Sequence, residues 1–218
     1  MNSELEEYIL AHIEPEPEHL RLLNRRTQLY HLYSRQCSGH LQGRLLSMIS
    51  HMVRPRRILE LGTFTGYSAL CLAEGLTTDG ELHTIEHNEE DETQLRELFA
   101  ANDERIKLHI GDASELIQKL HEQWDLIFID ANKREYLRYL QLLIPNLKPG
   151  AIILADNTLW DGKVTDPRLK DGQTEGIREF NDYVSEHSAE FSPVILPIRD
   201  GMTIMRYNGT GSVTQNNI

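Results

Sequence analysis

From residue 1 to about residue 51 the apolar positions recur every three or four residues, as in LRLLNRRTQLYHLY, and predict helices. The proline-broken EPEPEH stretch separates a short first helix from the next, and a third starts near Ser38. Beyond residue 55 the pattern changes. Short apolar runs at 57–61, 81–85, 106–110, 125–129 and 151–155 alternate with helical segments at 66–76, 89–102, 113–122 and 133–147. Strands alternating with helices at this spacing predict parallel βαβ units, with helices on both faces of a doubly wound, Rossmann-like sheet. A long polar loop follows residue 155 and leads to a helix near 177–188. The apolar runs FSPVILPI and MTIMRY flank an Arg-Asp-Gly turn, which predicts a closing antiparallel hairpin. One domain is expected over 1–218, with helices to about 52, an α/β core over 56–207 and a loose tail over 208–218.

Composition narrows the functions. The formal net charge is −12, which opposes an electrostatic grip on nucleic acid or anionic membrane. The basic clusters NRR (24–26) and RPRR (54–57) keep an RNA partner open. Two cysteines make a disulfide framework a poor explanation and a reducing compartment the default. The first residues lack a signal-peptide pattern, and no apolar run reaches the roughly 18 residues of a membrane span. A cytoplasmic, soluble protein without a membrane partner is the expectation.

Open α/β sheets bind ligands at the carboxyl ends of their strands. Those ends carry Glu60 with Gly62-Thr63-Phe64-Thr65-Gly66, then Glu86, Gly111-Asp112-Ala113, Asp130, and Asp156-Asn157. Each alone would also suit a cap or turn; together on one edge they indicate a ligand cleft. GTFTG lacks the G-x-G-x-x-G spacing of a pyrophosphate loop, and Glu86 suits ribose hydroxyls. An adenosine ligand with a cationic centre and no phosphates, such as S-adenosylmethionine, fits both features. Asp130, Asp156 and Asn157 offer hard oxygen donors of the kind Mg²⁺ takes, although Asp156-Asn157 would also cap a turn. Lys133 opens a helix, where the dipole disfavours a cation. Beside a metal and a sulfonium its charged form is opposed further, as a general base needs. His83 and His87 straddle a strand end and do not suggest zinc.

The segments ILELGTFTGYSALCLA, HIGDA, DLIFIDANKREY and LADNTLWDG, in this order, resemble the metal-dependent class I O-methyltransferases, including the caffeoyl-CoA and catechol enzymes. The resemblance spans about 38–207 and implies a seven-stranded sheet whose last strand is antiparallel. It places Glu60, Gly62, Thr63 and Ser68 along the methionine and ribose of S-adenosylmethionine, with Glu86 on the ribose hydroxyls and Ala113 against the adenine. Ser38 would contact the amino-acid end. Asp130, Asp156 and Asn157 match the metal ligands, for Mg²⁺ or for Mn²⁺ or Ca²⁺. Asp130 also belongs to the cofactor and catalytic sets, and Lys133 matches the catalytic lysine. Asn132 stands where plant members often carry aspartate. The resemblance implies a phenolic small-molecule acceptor and a homodimer, with tRNA hydroxyuridine methylation as an alternative; an NAD-binding oxidoreductase would leave the metal trio unexplained. Trp160 is either a wall for an aromatic acceptor or a packing residue.

Overall fold

A computed structural model describes residues 3–209; the predicted tail from 210 onward lies outside the described residues. Seven strands form a sheet in the order β3-β2-β1-β4-β5-β7-β6. They are β1 (Arg57–Leu61), β2 (Glu81–Glu86), β3 (Ile106–Ile110), β4 (Trp124–Ile129), β5 (Leu147–Asp156), β6 (Pro193–Leu196) and β7 (Met202–Arg206). β1, β2 and β3 pair in parallel, as do β4 and β5, whereas β7 runs antiparallel to β5 and β6. The predicted seven-stranded α/β fold with its antiparallel close is therefore the fold of the chain. Contacts group the described residues into two compact units, one through Asp112 and the other from Ala113.

In the first unit, α1 (Ser3–His12), α2 (Glu18–Tyr30) and α3 (Gly39–Val53) precede β1. α4 (Tyr67–Ala73) follows β1, and α5 (Glu92–Asn102) follows β2. α3 and α4 pack closely because glycine lets them: a Cβ on Gly75 would sit 2.2 Å from the backbone carbon of Ser50. The α3 side chain Arg44 is 7% exposed and donates both Nη atoms to Glu74 at the end of α4, at 3.0 and 2.7 Å. Ser47 also donates to Glu74, at 2.5 Å. Burial alone would raise the Glu74 carboxyl, but Arg44 and Ser47 outweigh it and hold the group below its ordinary 4.5. Glu14 reaches Arg44 as well, and Glu16 accepts from the buried Tyr67 hydroxyl at 2.6 Å. The proline-rich stretch that the sequence marks as a break is thus pinned to the helices behind it.

The second unit carries α6 (Ala113–Lys119), α7 (Tyr136–Leu143), α8 (Gly172–Glu186) and the short α9 (Ser188–Phe191). Trp124, Phe128, Tyr136 and Phe180 are fully buried there. Three boundaries differ from expectation, each for a local reason. The predicted helix over 133–147 divides into the 3₁₀ turn Lys133–Glu135, α7, and a second 3₁₀ turn at Ile144–Asn146, where Pro145 removes a backbone donor. β5 begins at Leu147 rather than 151. Pro149-Gly150 reads as a turn, yet Leu147 pairs with Trp124 and the Gly150 N–H bonds Tyr207 O at 2.7 Å. α8 starts five residues early because the Asp171 carboxylate accepts the Thr174 N–H and hydroxyl, capping a glycine-rich first turn. Among the described residues, no helix is long and apolar enough to cross a membrane.

Candidate active site

The turn after β1 answers why a carboxylate closes a buried strand. Glu60 is fully buried, and its Oε2 accepts the Thr84 hydroxyl at 2.6 Å. Thr84 lies opposite Glu60 on β2, and its Oγ1 is also 2.6 Å from Thr63 Oγ1. Since the one Thr84 proton goes to the carboxylate, Thr63 is the donor to Thr84. The relay Thr63–Thr84–Glu60 fixes the acid beneath the turn. Glu86, at the end of β2, accepts the Phe64 N–H on Oε2 at 2.8 Å and the Asn88 N–H on Oε1 at 2.9 Å. Both its oxygens are oriented by backbone, with lone pairs left for a ligand.

Three residues of this turn have positive φ: Gly62 at 97°, Phe64 at 49° and Gly66 at 83°. A Cβ on Gly66 would lie 2.8 Å from Leu98 and 3.0 Å from Phe99, so glycine is required there twice over. Ser68 is buried in the first turn of α4, and Ser38 is 8% exposed at the start of α3. Ser38, Glu60, Gly62, Thr63, Ser68 and Glu86 all belong to this first unit. Thr84 was not singled out in the sequence. Its signal is a hydroxyl in the apolar strand ELHTIE, directly opposite Glu60 in the register. His83 does not meet His87; its Nδ1 is 3.0 Å from Nε2 of His109 on β3.

The remaining predicted residues belong to the second unit. Ala113 opens α6 and is 9% exposed; the hydroxyl of Ser114 beside it is buried with no partner among the described residues. Asp130 follows β4, and Lys133 Nζ donates to its Oδ1 at 2.6 Å. The lysine side chain is 9% exposed and its ammonium lies 5.0 Å from the Tyr136 ring centroid. Asp156 ends β5, 3% exposed, with the Asn157 N–H bonded to its Oδ1 at 2.9 Å. Tyr136 binds the two strand ends together: its hydroxyl contacts the carbonyl oxygens of Ile129 and Asp156, both at 3.1 Å. Complete burial, with Asp130 and Asp156 nearby, pushes the Tyr136 phenol well above its usual range. Among the described residues, no three His, Cys, Asp or Glu side chains gather to hold a metal ion. The predicted set is of another kind, two carboxylates and an amide.

The loop after β5 is shaped from outside itself. Asn157, Trp160 and Asp161 have left-handed φ of 59°, 47° and 52°. The β6–β7 turn holds them: Thr158 N–H bonds Gly201 O at 3.1 Å, and Leu159 N–H bonds Asp200 O at 2.8 Å. A Cβ on Gly201 would fall 2.4 Å from Leu159 Cγ. Burial, and a hydrogen bond that the protonated Asp200 donates to the Asp161 carboxylate, push the Asp200 carboxyl up. Farther along, Arg178 of α8 donates to the backbone carbonyls of Lys163, Val164, Asp166 and Leu169. Trp160 lies 5.3 Å from Lys163 Nζ, and its indole N–H has no partner among the described residues. Apart from the i,i+3 pair of Arg178 with Glu175, Tyr136 and Arg178 donate to main-chain carbonyls, which give no local sequence signal.

Residues 11–208 match the model of the O-methyltransferase family. The chain is 31% identical over 220 residues to a caffeoyl-CoA O-methyltransferase of Stellaria longipes, covering 94% of this chain and 90% of that one. It is 30% identical over 173 residues to a catechol O-methyltransferase of Niastella koreensis, covering 75% and 78%. Among solved structures it is similar to the O-methyltransferase TomG of Streptomyces achromogenes, in complex with SAM. There the TM-score is 0.86 at 27% identity, over 94% of this chain and 96% of that one. The O-methyltransferase from Bacillus cereus in complex with SAH gives the same TM-score at 26% identity, covering 94% and 97%. With the strand-end turn and the family match in agreement, the chain belongs to the O-methyltransferase family and is an S-adenosylmethionine-dependent enzyme of the caffeoyl-CoA and catechol type.

Proposed function

We propose that the chain methylates one hydroxyl of a vicinal dihydroxy aromatic small molecule, with a divalent cation held by Asp130, Asp156 and Asn157. The observation that carries this reading is the buried Lys133 paired with Asp130 at a strand end that Tyr136 ties to Asp156. The donor set fits a hard cation such as Mg²⁺, since all three side chains offer oxygen. When bound, such a cation supplies Lewis acidity toward neighbouring oxygens.

Lys133, in its neutral form, removes the proton of the attacking hydroxyl. The resulting oxyanion forms a bond to the methyl carbon as the carbon–sulfur bond breaks. Its electron pair stays on sulfur, leaving S-adenosylhomocysteine, the methyl ether and a protonated lysine. Oxyanion and sulfonium neutralise each other along this path, so alignment is the main task left to the protein. Glu86 supports that task by accepting the ribose hydroxyls, and Glu60 by anchoring the turn along the methionine. Trp160 is placed in this reading as one wall of the acceptor site.

The test is calorimetric titration with S-adenosylhomocysteine, followed by a methyl-transfer assay on a simple catechol with Mg²⁺ and with EDTA. Binding and EDTA-sensitive transfer are expected. Transfer that survives EDTA would overturn the metal assignment. Binding without transfer to catechol would move the acceptor to other hydroxylated substrates, tRNA included.

A further inference from the structure

We propose that the end of α2 is a clamp on the cofactor turn, and that His31 is a positioning residue for the adenosyl cofactor. The inference rests on assigning the Gly62–Gly66 turn to that cofactor. The stretch Tyr30-His31-Leu32-Tyr33 leads out of α2 with an unusual choice of side chains. Tyr30, Leu32 and Tyr33 are 79%, 87% and 65% exposed. His31 is half-buried, and its ring meets the Phe64 ring edge-on, with centroids 5.4 Å apart at 69°. One turn earlier on the same helix, Thr27 is 1% exposed and its hydroxyl lies 3.2 Å from that of Thr65. Two consecutive residues of the turn are therefore gripped by one helix.

What the grip holds is a backbone conformation. Phe64 sits at φ 49°, a region a bulky side chain occupies where its surroundings over-determine it. That conformation aims the Phe64 N–H at Glu86 Oε2, which sets the carboxylate assigned to the ribose. Without the imidazole edge the turn is free to relax, and the binding-ready form becomes a smaller fraction of the population. Apparent affinity falls by that fraction. The proposal therefore separates two quantities: cofactor affinity depends on His31, whereas turnover at saturating cofactor does not.

Calorimetric titration of S-adenosylhomocysteine into the full chain and three variants tests it. His31→Ala is expected to weaken binding about three- to tenfold, the scale of one aromatic edge contact. KM for the methyl donor should rise alike, with kcat unchanged. His31→Phe keeps the ring and should restore affinity to within about twofold by the same contact. In a Phe64→Ala background, His31→Ala should cost nothing further. Unchanged affinity in His31→Ala overturns the clamp, as does failure of His31→Phe to restore it, or additive losses in the double variant. Should the wild-type chain itself not take S-adenosylhomocysteine, the assignment of the turn is wrong and the inference falls with it.

Discussion

The turn after β1 and the acids after β4 and β5 solve the same problem differently. Both put carboxylates at strand ends, partly or fully out of water. In the turn, Glu60 and Glu86 are held by hydroxyls and backbone N–H groups, and their orientation is set by neighbouring chain. After β4, Asp130 is held by a lysine three residues on. The first arrangement is a fixed receptor that needs no rearrangement to accept hydroxyl groups. The second is a charge pair whose members, under the proposed function, exchange partners when substrate arrives. Under the proposed function, rigidity sits where the cofactor binds, and exchangeable charge where protons move.

Breaking the charge pair should have the largest effect. Lys133→Ala is expected to lower kcat by about 10²- to 10⁴-fold, the usual worth of a general base, while S-adenosylhomocysteine affinity is retained. Stopped-flow or steady-state transfer beside calorimetry reads this directly. A Lys133→Ala enzyme with near-normal kcat would make the pair structural. On the fixed side, Thr84→Val removes a hydroxyl with little change of shape and interrupts the relay to Glu60. The buried acid and Thr63 lose their common partner, so a loss of about 1–3 kcal/mol is expected in urea unfolding. Cofactor affinity should fall with it, and unchanged stability would show the relay to be idle.

The smallest effect is in pH dependence behind the turn. Glu74 is held below its ordinary 4.5, so its pairing with Arg44 contributes stability above that pH. The contribution is lost as pH falls through the lowered value. Thermal unfolding from pH 7 to pH 3 should show a steeper acid limb in the wild type than in Glu74→Gln. Parallel curves would remove Glu74 from the account.

The same contrast governs what the sequence disclosed. Strand ends were legible because hydrophobic runs stop abruptly after Leu61 and at Glu86, Asp130 and Asp156, and period alone locates those stops. Gly62 and Gly66 announced a tight turn, and both adopt positive φ in it. The first turn of α8 was hidden by its own glycines, and β5 by Pro149-Gly150, since pairing with Trp124 and Tyr207 overrides a local turn preference. Thr84, Tyr136 and Arg178 could not be weighed beforehand. Their roles depend on cross-strand register, or on main-chain carbonyls that any residue would supply.

Arg178 has a consequence for how such an enzyme diversifies. It grips the loop through the carbonyls of Lys163, Val164, Asp166 and Leu169, and a carbonyl is the same whichever side chain accompanies it. Side chains along this stretch can drift while the loop keeps its path, provided no proline or insertion shifts those oxygens. A single anchor on main-chain oxygens thus leaves the side chains of neighbouring positions free to change. Libraries that vary residues 163–169 around an intact Arg178 would sample altered selectivity without rebuilding the scaffold.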